Sequence, residues 1–217
     1  MRNRLTPILL VASAITAGGV ITACGSSGDA ESTTVAPATE APTTTEAATT
    51  TSTSVYAGPP TLGPGETLPT PVPPPKEDGT KDDQSILGSI EIPALKVKET
   101  IYQGIRLSTF DLGVGHWPGT ALPGKVGNVV LGGHRTSGIR PFRNVDQLKK
   151  GDEIIVTTDD GTFVYVVDGQ QIVDPVDGMW IIEQTEKASM TLFACHPPGS
   201  VRQRIIIFAN YDRKLEV

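Results

Sequence analysis

The sequence holds very little cysteine and little histidine. Among its 217 residues the only cysteines are Cys24 and Cys195, and no Cys-x-x-Cys pair exists. The adjacent pair Cys195-His196 has poor spacing for metal ligands, so we expect neither a metal site nor a cofactor. The histidines are His116, His134 and His196, so a histidine that moves protons must be one of these three.

Excess positive charge and internal repetition are also missing. The formal net charge is -6 at pH 7, which does not favour a nucleic-acid partner. No internal repeat indicates a solenoid. Although 38% of the residues are hydrophobic, only the second half of the chain shows the pattern of a folded core.

Residues 1–24 have the pattern of an export signal. A short basic stretch is followed by a mostly apolar run and then by Ile21-Thr22-Ala23-Cys24. A hydrophobic residue, two small residues and a cysteine resemble a bacterial lipobox, in which cleavage leaves Cys24 as the lipidated N-terminus. The alternatives are a plain signal peptide or a membrane anchor retained in residues 5–23. Each of them predicts an exported product, and the lipobox predicts one held to membrane lipid through Cys24.

Residues 25–84 are of low complexity. Thr, Ala, Ser and Glu dominate at first, and Pro and Gly take over later. No apolar period is present, which predicts a disordered linker. A tether of this length spans about 40 Å as a random coil and up to about 190 Å when extended. We interpret it as a spacer that holds a folded domain off the membrane.

From about Ser85 onward, short strands alternate with turn signals. Asp159-Asp160-Gly161 predicts a β-hairpin, residues 113–127 a long loop, and residues 143–150 at most a short helix. Many short strands of this kind predict an all-β fold, a small barrel. The main predicted strands are residues 86–95, 97–102, 128–134, 153–158, 162–167, 190–194 and 204–209.

Residues 190–209 are predicted to form a strand, a loop and a second strand. Pro197 and Pro198 lie in the middle and force the turn. Cys195 ends the first strand and Arg204 begins the second, so antiparallel pairing would bring a thiol and a guanidinium to one sheet edge. Such a pair suits nucleophilic attack on a carbonyl, with a fixed cation near the oxygen that gains negative charge.

The histidines differ in their surroundings. His134 ends a predicted buried strand that exits through two glycines, so it lies at a strand terminus, as Cys195 does. We therefore predict that His134 is the acid/base. His116 lies in a Gly/Pro loop and is expected to be structural. His196 is followed by proline and either tunes Cys195 or caps the loop, and the pattern leaves both open.

Two further alternatives concern charged residues. Arg202 lies on the same side of the strand as Arg204, so parity does not separate them, and we prefer Arg204 because it directly precedes the apolar run. Asp174 and Asp177 could bind calcium, but two carboxylates around a proline more often form a solvated turn.

Several segments resemble the sortases, a family of cysteine transpeptidases. TLFACHPPGSVRQR, residues 191–204, resembles their signature Thr-Leu-X-Thr-Cys followed by an Arg at the next strand. GSIEIPAL, GHWPGTALPG, GNVVLGGHRTSGIRPF and GDEIIV resemble sortase segments in the same order. The resemblance covers about residues 86–210 and is to the actinobacterial class E/F type. Ala194 stands where most sortases carry Thr, and we expect the missing hydroxyl to affect peptide binding.

The resemblance implies both a fold and a site. The fold is a closed eight-stranded β-barrel with short helices, over residues 85–217. Cys195 is implied to be the nucleophile, His134 the acid/base and Arg204 the residue that orients the substrate or stabilises the oxyanion. Because Cys24 would be acylated, Cys195 is left as a lone free thiol in an oxidising compartment, which favours a reactive role.

The implied reaction takes place at the outer face of the cell membrane. The enzyme cleaves an LPXTG-like sorting signal of a surface protein and transfers the acyl group to an amine, from a cell-wall precursor or another acceptor. One alternative is an L,D-transpeptidase, whose Ser-His-Gly-Cys-x-Arg motif is absent here. The other is a catalytically silent lipoprotein of the cell envelope.

Overall fold

The structure, a computed structural model, describes residues 58–216 of the chain. Strands dominate this part. The predictions for Cys24 and for most of the linker lie outside these residues. The strands are β1 (Ile86–Ile92), β2 (Val97–Gln103), β3 (Val114–His116), β4 (Asn128–Gly132), β5 (Glu153–Thr158), β6 (Gly161–Val173), β7 (Ser189–His196) and β8 (Gln203–Leu215). Short helices are α1 (Leu107–Phe110) and the 3-10 turns Pro93–Leu95, Val145–Gln147 and Asp177–Ile182. No helix within residues 58–216 is both long and apolar enough to cross a membrane.

The strands close into a single barrel. Their order is β1-β2-β3-β4-β7-β8-β6-β5, and β5 pairs back onto β1. The pairs β2–β3 and β4–β7 are parallel, and the others are antiparallel. Closure gives each strand of residues 86–215 a neighbour on both sides. The predicted all-β fold with an eight-stranded closed barrel is therefore confirmed.

The predicted hairpin joins β5 to β6. Thr158 pairs with Gly161, so Asp159 and Asp160 form a two-residue turn. Gly161 has a φ of 129°, which a residue with a Cβ rarely adopts. Local turn chemistry was therefore enough to predict this hairpin.

The short strand β3 lies inside the segment predicted to be a loop. It pairs in parallel with β2 and antiparallel with β4. Three residues among glycines are too few to show an alternating pattern, so the neighbouring strands decide this assignment. It carries His116 into the barrel wall.

Two apolar clusters cover the opposite faces of β4 and β8, and this explains why both strands are continuously apolar. The larger cluster has members from all eight strands and fills the barrel interior. The smaller one packs on the outer face, beneath the turn Asp177–Ile182. The larger cluster includes Val129, Leu131, Ile205 and Ile207, and the smaller one Val130, Ile206, Trp117 and Ile181.

Part of the predicted linker lies on the barrel. We call residues 69–82 the strap. Val72 in the strap donates its N–H to the carbonyl of Pro118 at 2.9 Å and accepts the indole N–H of Trp117 at 2.8 Å. Composition alone predicts disorder for this stretch. The residues that hold the strap belong to the barrel and are distant in the chain, so the composition of the strap does not reveal them.

A half-buried arginine, Arg106, holds the other end of the strap. The guanidinium of Arg106 lies 3.0 Å from Asp78 and 3.3 Å from Asp82, and it also donates to the carbonyl of Lys76. The hydrogen bonds from Thr80, and to a smaller degree the charge of Arg106, lower the pKa of Asp78. The strap is thus held at both ends.

Candidate active site

Cys195 and Arg204 lie directly opposite each other in the antiparallel β7–β8 ladder. The loop between the strands contains Gly199 at a φ of 83°, in the left-handed region that favours glycine. The structure thus brings the thiol and the guanidinium together, as the strand–loop–strand pattern predicts. Cys195 is half-buried and forms no disulfide.

His134 lies at the same edge of the barrel. Strands β4 and β7 run in parallel with Gly132 opposite Phe193, so the chain positions two residues further on are His134 and Cys195. Parallel neighbours end on the same side of a sheet, and this places the predicted acid/base beside the predicted nucleophile. The two glycines before His134 let the ring of Phe142 and that of Phe193 pack against the backbone.

Both ring nitrogens of His134 have partners. Nε2 lies 3.1 Å from Asp111 Oδ1, and Nδ1 lies 3.2 Å from the hydroxyl oxygen of Ser137. An ionised carboxylate only accepts hydrogen bonds, so Nε2 carries a proton and donates it to Asp111. The edge of the ring also packs against Phe110, at 5.8 Å between centroids. The imidazole is therefore held in one orientation.

The structure separates the two candidate arginines. Arg204 Nη1 donates to the carbonyls of Val201 and Gln203, at 2.8 and 3.0 Å, so its own loop fixes the guanidinium. Arg204 also lines the cavity described next, whereas Arg202 is exposed and is not among the described residues that line it. The geometry therefore favours Arg204.

One cavity of about 340 Å³ is lined by Cys195, His134 and Arg204 together. Most of its wall is apolar and comes from the outer cluster and from the strap. Glu77 of the strap accepts the backbone N–H of Leu107 at 3.2 Å. The lining residues that matter here are Cys195, His134 and Arg204, the strap residues Pro74, Pro75 and Glu77, and the apolar side chains Phe110, Trp117, Val173, Met179, Ile181 and Phe193.

His116 is structural, as expected. It is buried, and its Nε2 lies 2.9 Å from the carbonyl oxygen of Ala121 while Nδ1 lies 3.0 Å from Gln103 Oε1. Burial lowers the pKa of His116, and the hydrogen bond to Ala121 opposes this shift only in part. With contacts at both ring nitrogens, the buried imidazole of His116 holds β3 in place in the barrel wall.

His196 forms a hydrogen bond with Arg135. Arg135 Nη1 donates to His196 Nδ1 at 2.8 Å. A guanidinium can only donate, so this nitrogen of His196 is unprotonated and its proton is on Nε2. The structure therefore places His196, which is half-buried, in a hydrogen bond with the buried Arg135.

Ala194 points away from the thiol. Its side chain is 2% exposed and belongs to the apolar cluster inside the barrel. A threonine hydroxyl at this position would enter the interior, which argues against a contact with the bound peptide. Ala194 also lines the cavity, so the expectation itself stays a prediction. Successive side chains of a strand face opposite sides, and here the other side is the core.

The acidic pair after β6 forms a turn. Asp177 donates its N–H to the carbonyl of Asp174 at 3.1 Å, and both residues are exposed. Within residues 58–216 no group of three or more His, Cys, Asp or Glu side chains is arranged to hold a metal ion.

Three polar residues of the site were not found from the sequence. Asp111 and Ser137 engage His134, and Arg135 contacts His196. Arg135 and Ser137 lie close to His134 in the chain, so their neighbourhood could have been noticed. Nothing in the spacing of Asp111 connects it with His134.

The comparisons with known proteins agree with this geometry. A profile of the sortase domain matches residues 90–212, which is more than half of the chain. The chain belongs to the sortase family. It is 33% identical over 126 residues to Sortase D of Bacillus subtilis (strain 168), which covers 57% of this chain and 62% of that protein. It is also 33% identical over 136 residues to Sortase SrtE1 of Streptomyces coelicolor, with 56% of this chain and 39% of that protein covered.

Solved sortase structures share the barrel. A Sortase D5 transpeptidase of Clostridium perfringens superposes with a TM-score of 0.56 at 29% identity, over 62% of this chain and 83% of that one. Sortase C1 of Streptococcus suis gives a TM-score of 0.56 at 26% identity, over 61% and 75%. The chain spans 62% and 39% of the length of the Bacillus and Streptomyces relatives, so the likeness to them concerns the sortase domain.

Proposed function

We propose that the chain is a cysteine transpeptidase that cleaves an LPXTG-like sorting signal and transfers the acyl group to an amine. The observation that carries this proposal is the pairing of Cys195 with Arg204 across β7 and β8, at a cavity that His134 also lines. Nucleophile, acid/base and cation are the three groups that acyl transfer through a thioester requires.

In the first stage the Cys195 thiolate attacks a peptide carbonyl of the signal. A sulfur–carbon bond forms, the carbonyl oxygen gains negative charge, and the Arg204 guanidinium lies near it as a fixed donor. The carbon–nitrogen bond then breaks, and protonated His134 gives its proton to the departing amine. The acyl group remains on Cys195 as a thioester.

In the second stage an amine attacks the thioester carbonyl. The new carbon–nitrogen bond replaces the sulfur–carbon bond, His134 takes the proton of the amine, and the Cys195 thiolate is restored. Asp111 holds Nε2–H of the ring, so Nδ1 is the atom that gains and loses the proton, with Ser137 beside it. The apolar wall of the cavity favours a substrate with apolar side chains near the scissile bond.

The sequence supports a place for this reaction at the outer face of the cell membrane. The lipobox pattern at residues 21–24 favours a chain anchored through lipid on Cys24, with surface proteins as donors and a cell-wall precursor or another amine as acceptor. The likeness to Sortase SrtE1 of Streptomyces coelicolor favours the class E/F type. Mass spectrometry of the mature N-terminus should find a diacylglyceryl Cys24, and a chain that keeps residues 1–23 contradicts the anchor.

Trapping of the acyl-enzyme tests the activity. Wild type is incubated with a library of sorting peptides, and intact-protein mass spectrometry should find the acyl group on Cys195. Cys195→Ala should form no adduct and His134→Ala almost none. A thiol that reacts with alkylating agents but with no peptide would contradict the substrate class, and an unreactive thiol would indicate a silent lipoprotein.

A further inference from the structure

Arg135 is a buried arginine directly after His134. Its side chain has no exposed surface. Nε donates to the carbonyl of Arg143 at 3.2 Å, and Nη2 lies 2.7 Å from Asp146 Oδ1 as an ion pair. Nη1 points to the end of β7, where it donates to His196 Nδ1 at 2.8 Å and, more weakly, to the carbonyl of Cys195 at 3.5 Å.

These contacts connect the segments at the ends of β4 and β7, which carry the residues of the site. His134 and Arg135 follow β4, and Cys195 and His196 end β7. The last register pair of the β4–β7 ladder is Gly132 with Phe193, and Gly133 next donates its N–H to the carbonyl of Phe193 at 3.2 Å. Beyond that point the guanidinium of Arg135 donates across to Cys195 and His196. The ion pair with Asp146 adds a third segment, the 3-10 turn Val145–Gln147.

A packing role alone is a poor explanation for this charge. Removing a guanidinium from water is unfavourable, and buried ion pairs often contribute no more stability than an apolar side chain of the same volume. The partner Asp146 is 44% exposed, so it is still hydrated and compensates the buried charge only in part. A guanidinium offers what an apolar residue lacks, which is a rigid planar fork whose N–H groups fix several acceptors at once.

We propose that Arg135 is a positioning residue for the reaction, and this rests on the proposed roles of Cys195 and His134. It sets the separation of the thiol and the imidazole by holding the carbonyl of Cys195 and the ring of His196 against the segment that carries His134. His196 is the acceptor through which Arg135 acts, with Nδ1 accepting and the ring proton on Nε2.

Kinetics of Arg135→Met and Arg135→Lys test the proposal. A displacement of the reacting groups by about 1 Å lowers the rate by about 100-fold, so kcat of Arg135→Met should fall by about that factor while KM changes little. Arg135→Lys should recover only part of the loss, because an ammonium lacks the planar fork. The matched control is Arg213→Met, which removes the ion pair with Glu153 elsewhere on the barrel and should keep wild-type kcat. A folded Arg135→Met with wild-type kcat overturns the proposal.

Two further measurements decide the matter if Arg135→Met fails to fold. His196→Gln keeps an acceptor for Nη1 and should retain clearly higher kcat than His196→Leu; equal values overturn the proposal. In the wild type, ring ¹⁵N NMR should find His196 protonated at Nε2 and not at Nδ1, and the opposite tautomer overturns it. This signal needs no substrate, so a wild type that cleaves no sorting peptide counts against the proposed function only.

Discussion

Asp111 Oδ1 lies 3.1 Å from His134 Nε2, and this contact orients the imidazole at the exit of β4. Asp111 follows α1, which is packed against β3, so the carboxylate reaches the site from a segment outside the β7–β8 pair. It is 64% exposed, and water therefore screens its attraction to the ring. The main effect of the contact is therefore to orient the imidazole ring.

Asp111→Asn should lower kcat/KM only modestly. An exposed ion pair contributes about 0.2–1 kcal/mol, which corresponds to a loss of no more than about fivefold. The assay is steady-state cleavage of a sorting peptide, with Asp159→Asn at the hairpin tip as a control that should leave the rate unchanged. A loss of several hundredfold would mean that Asp111 itself takes part in proton transfer.

Arg204→Ala should lower kcat by about 100- to 1,000-fold, the usual effect of losing a donor to the oxyanion. Arg204→Lys should also be poor, because Lys keeps the charge but cannot donate through a fixed fork as Arg204 does. Single-turnover acylation of Cys195 measures the step directly. Arg202→Ala is the matched control in the same loop, and a large effect there with a small one at Arg204 would reverse the assignment.

Ala194→Thr should change stability and leave peptide choice unchanged. The side chain faces the barrel interior, so the added hydroxyl is buried among apolar groups, which costs about 1–3 kcal/mol in unfolding free energy. Ala194→Val has the same shape without the hydroxyl and separates this cost from that of the added volume. Urea unfolding measures the change in stability, and cleavage of a panel of sorting peptides measures the peptide preference. A change in peptide preference would show that the hydroxyl reaches the substrate.

Arg106→Gln should loosen the strap. The change removes ion pairs with Asp78 and Asp82, and Pro74, Pro75 and Glu77 then cover the cavity for a smaller fraction of the time. Alkylation of Cys195 by a bulky maleimide should become about two- to fivefold faster, as expected for the loss of a weak ion pair. Iodoacetamide, which is small, should react at nearly the wild-type rate.

The control for the strap is Arg213→Gln. This variant removes a guanidinium that pairs with Glu153 and Asp212, none of which lines the cavity. Equal maleimide rates for Arg106→Gln and wild type would mean that the strap does not limit access to Cys195.

Local patterns were sufficient wherever the deciding residues are neighbours in the chain. The turn at Asp159-Asp160 and the strand–loop–strand around Cys195 and Arg204 were predicted because alternation and turn chemistry act over a few residues. Strand β3 was missed, because three residues carry no such pattern. The catalytic roles of Cys195, His134 and Arg204 remain predictions that the geometry favours.

The sequence by itself determined the barrel strands other than β3, the turn that pairs Cys195 with Arg204, and the place of His134 at a strand end, since each depends on short-range patterns. Only the tertiary structure decided which groups surround them. Asp111 is 23 positions from His134, and Arg135 is 60 positions from Cys195. Contacts across such separations form when the barrel closes and leave no periodic trace in the chain. The contact of Asp111 with His134, the contacts of Arg135 and the place of the strap therefore followed from packing alone.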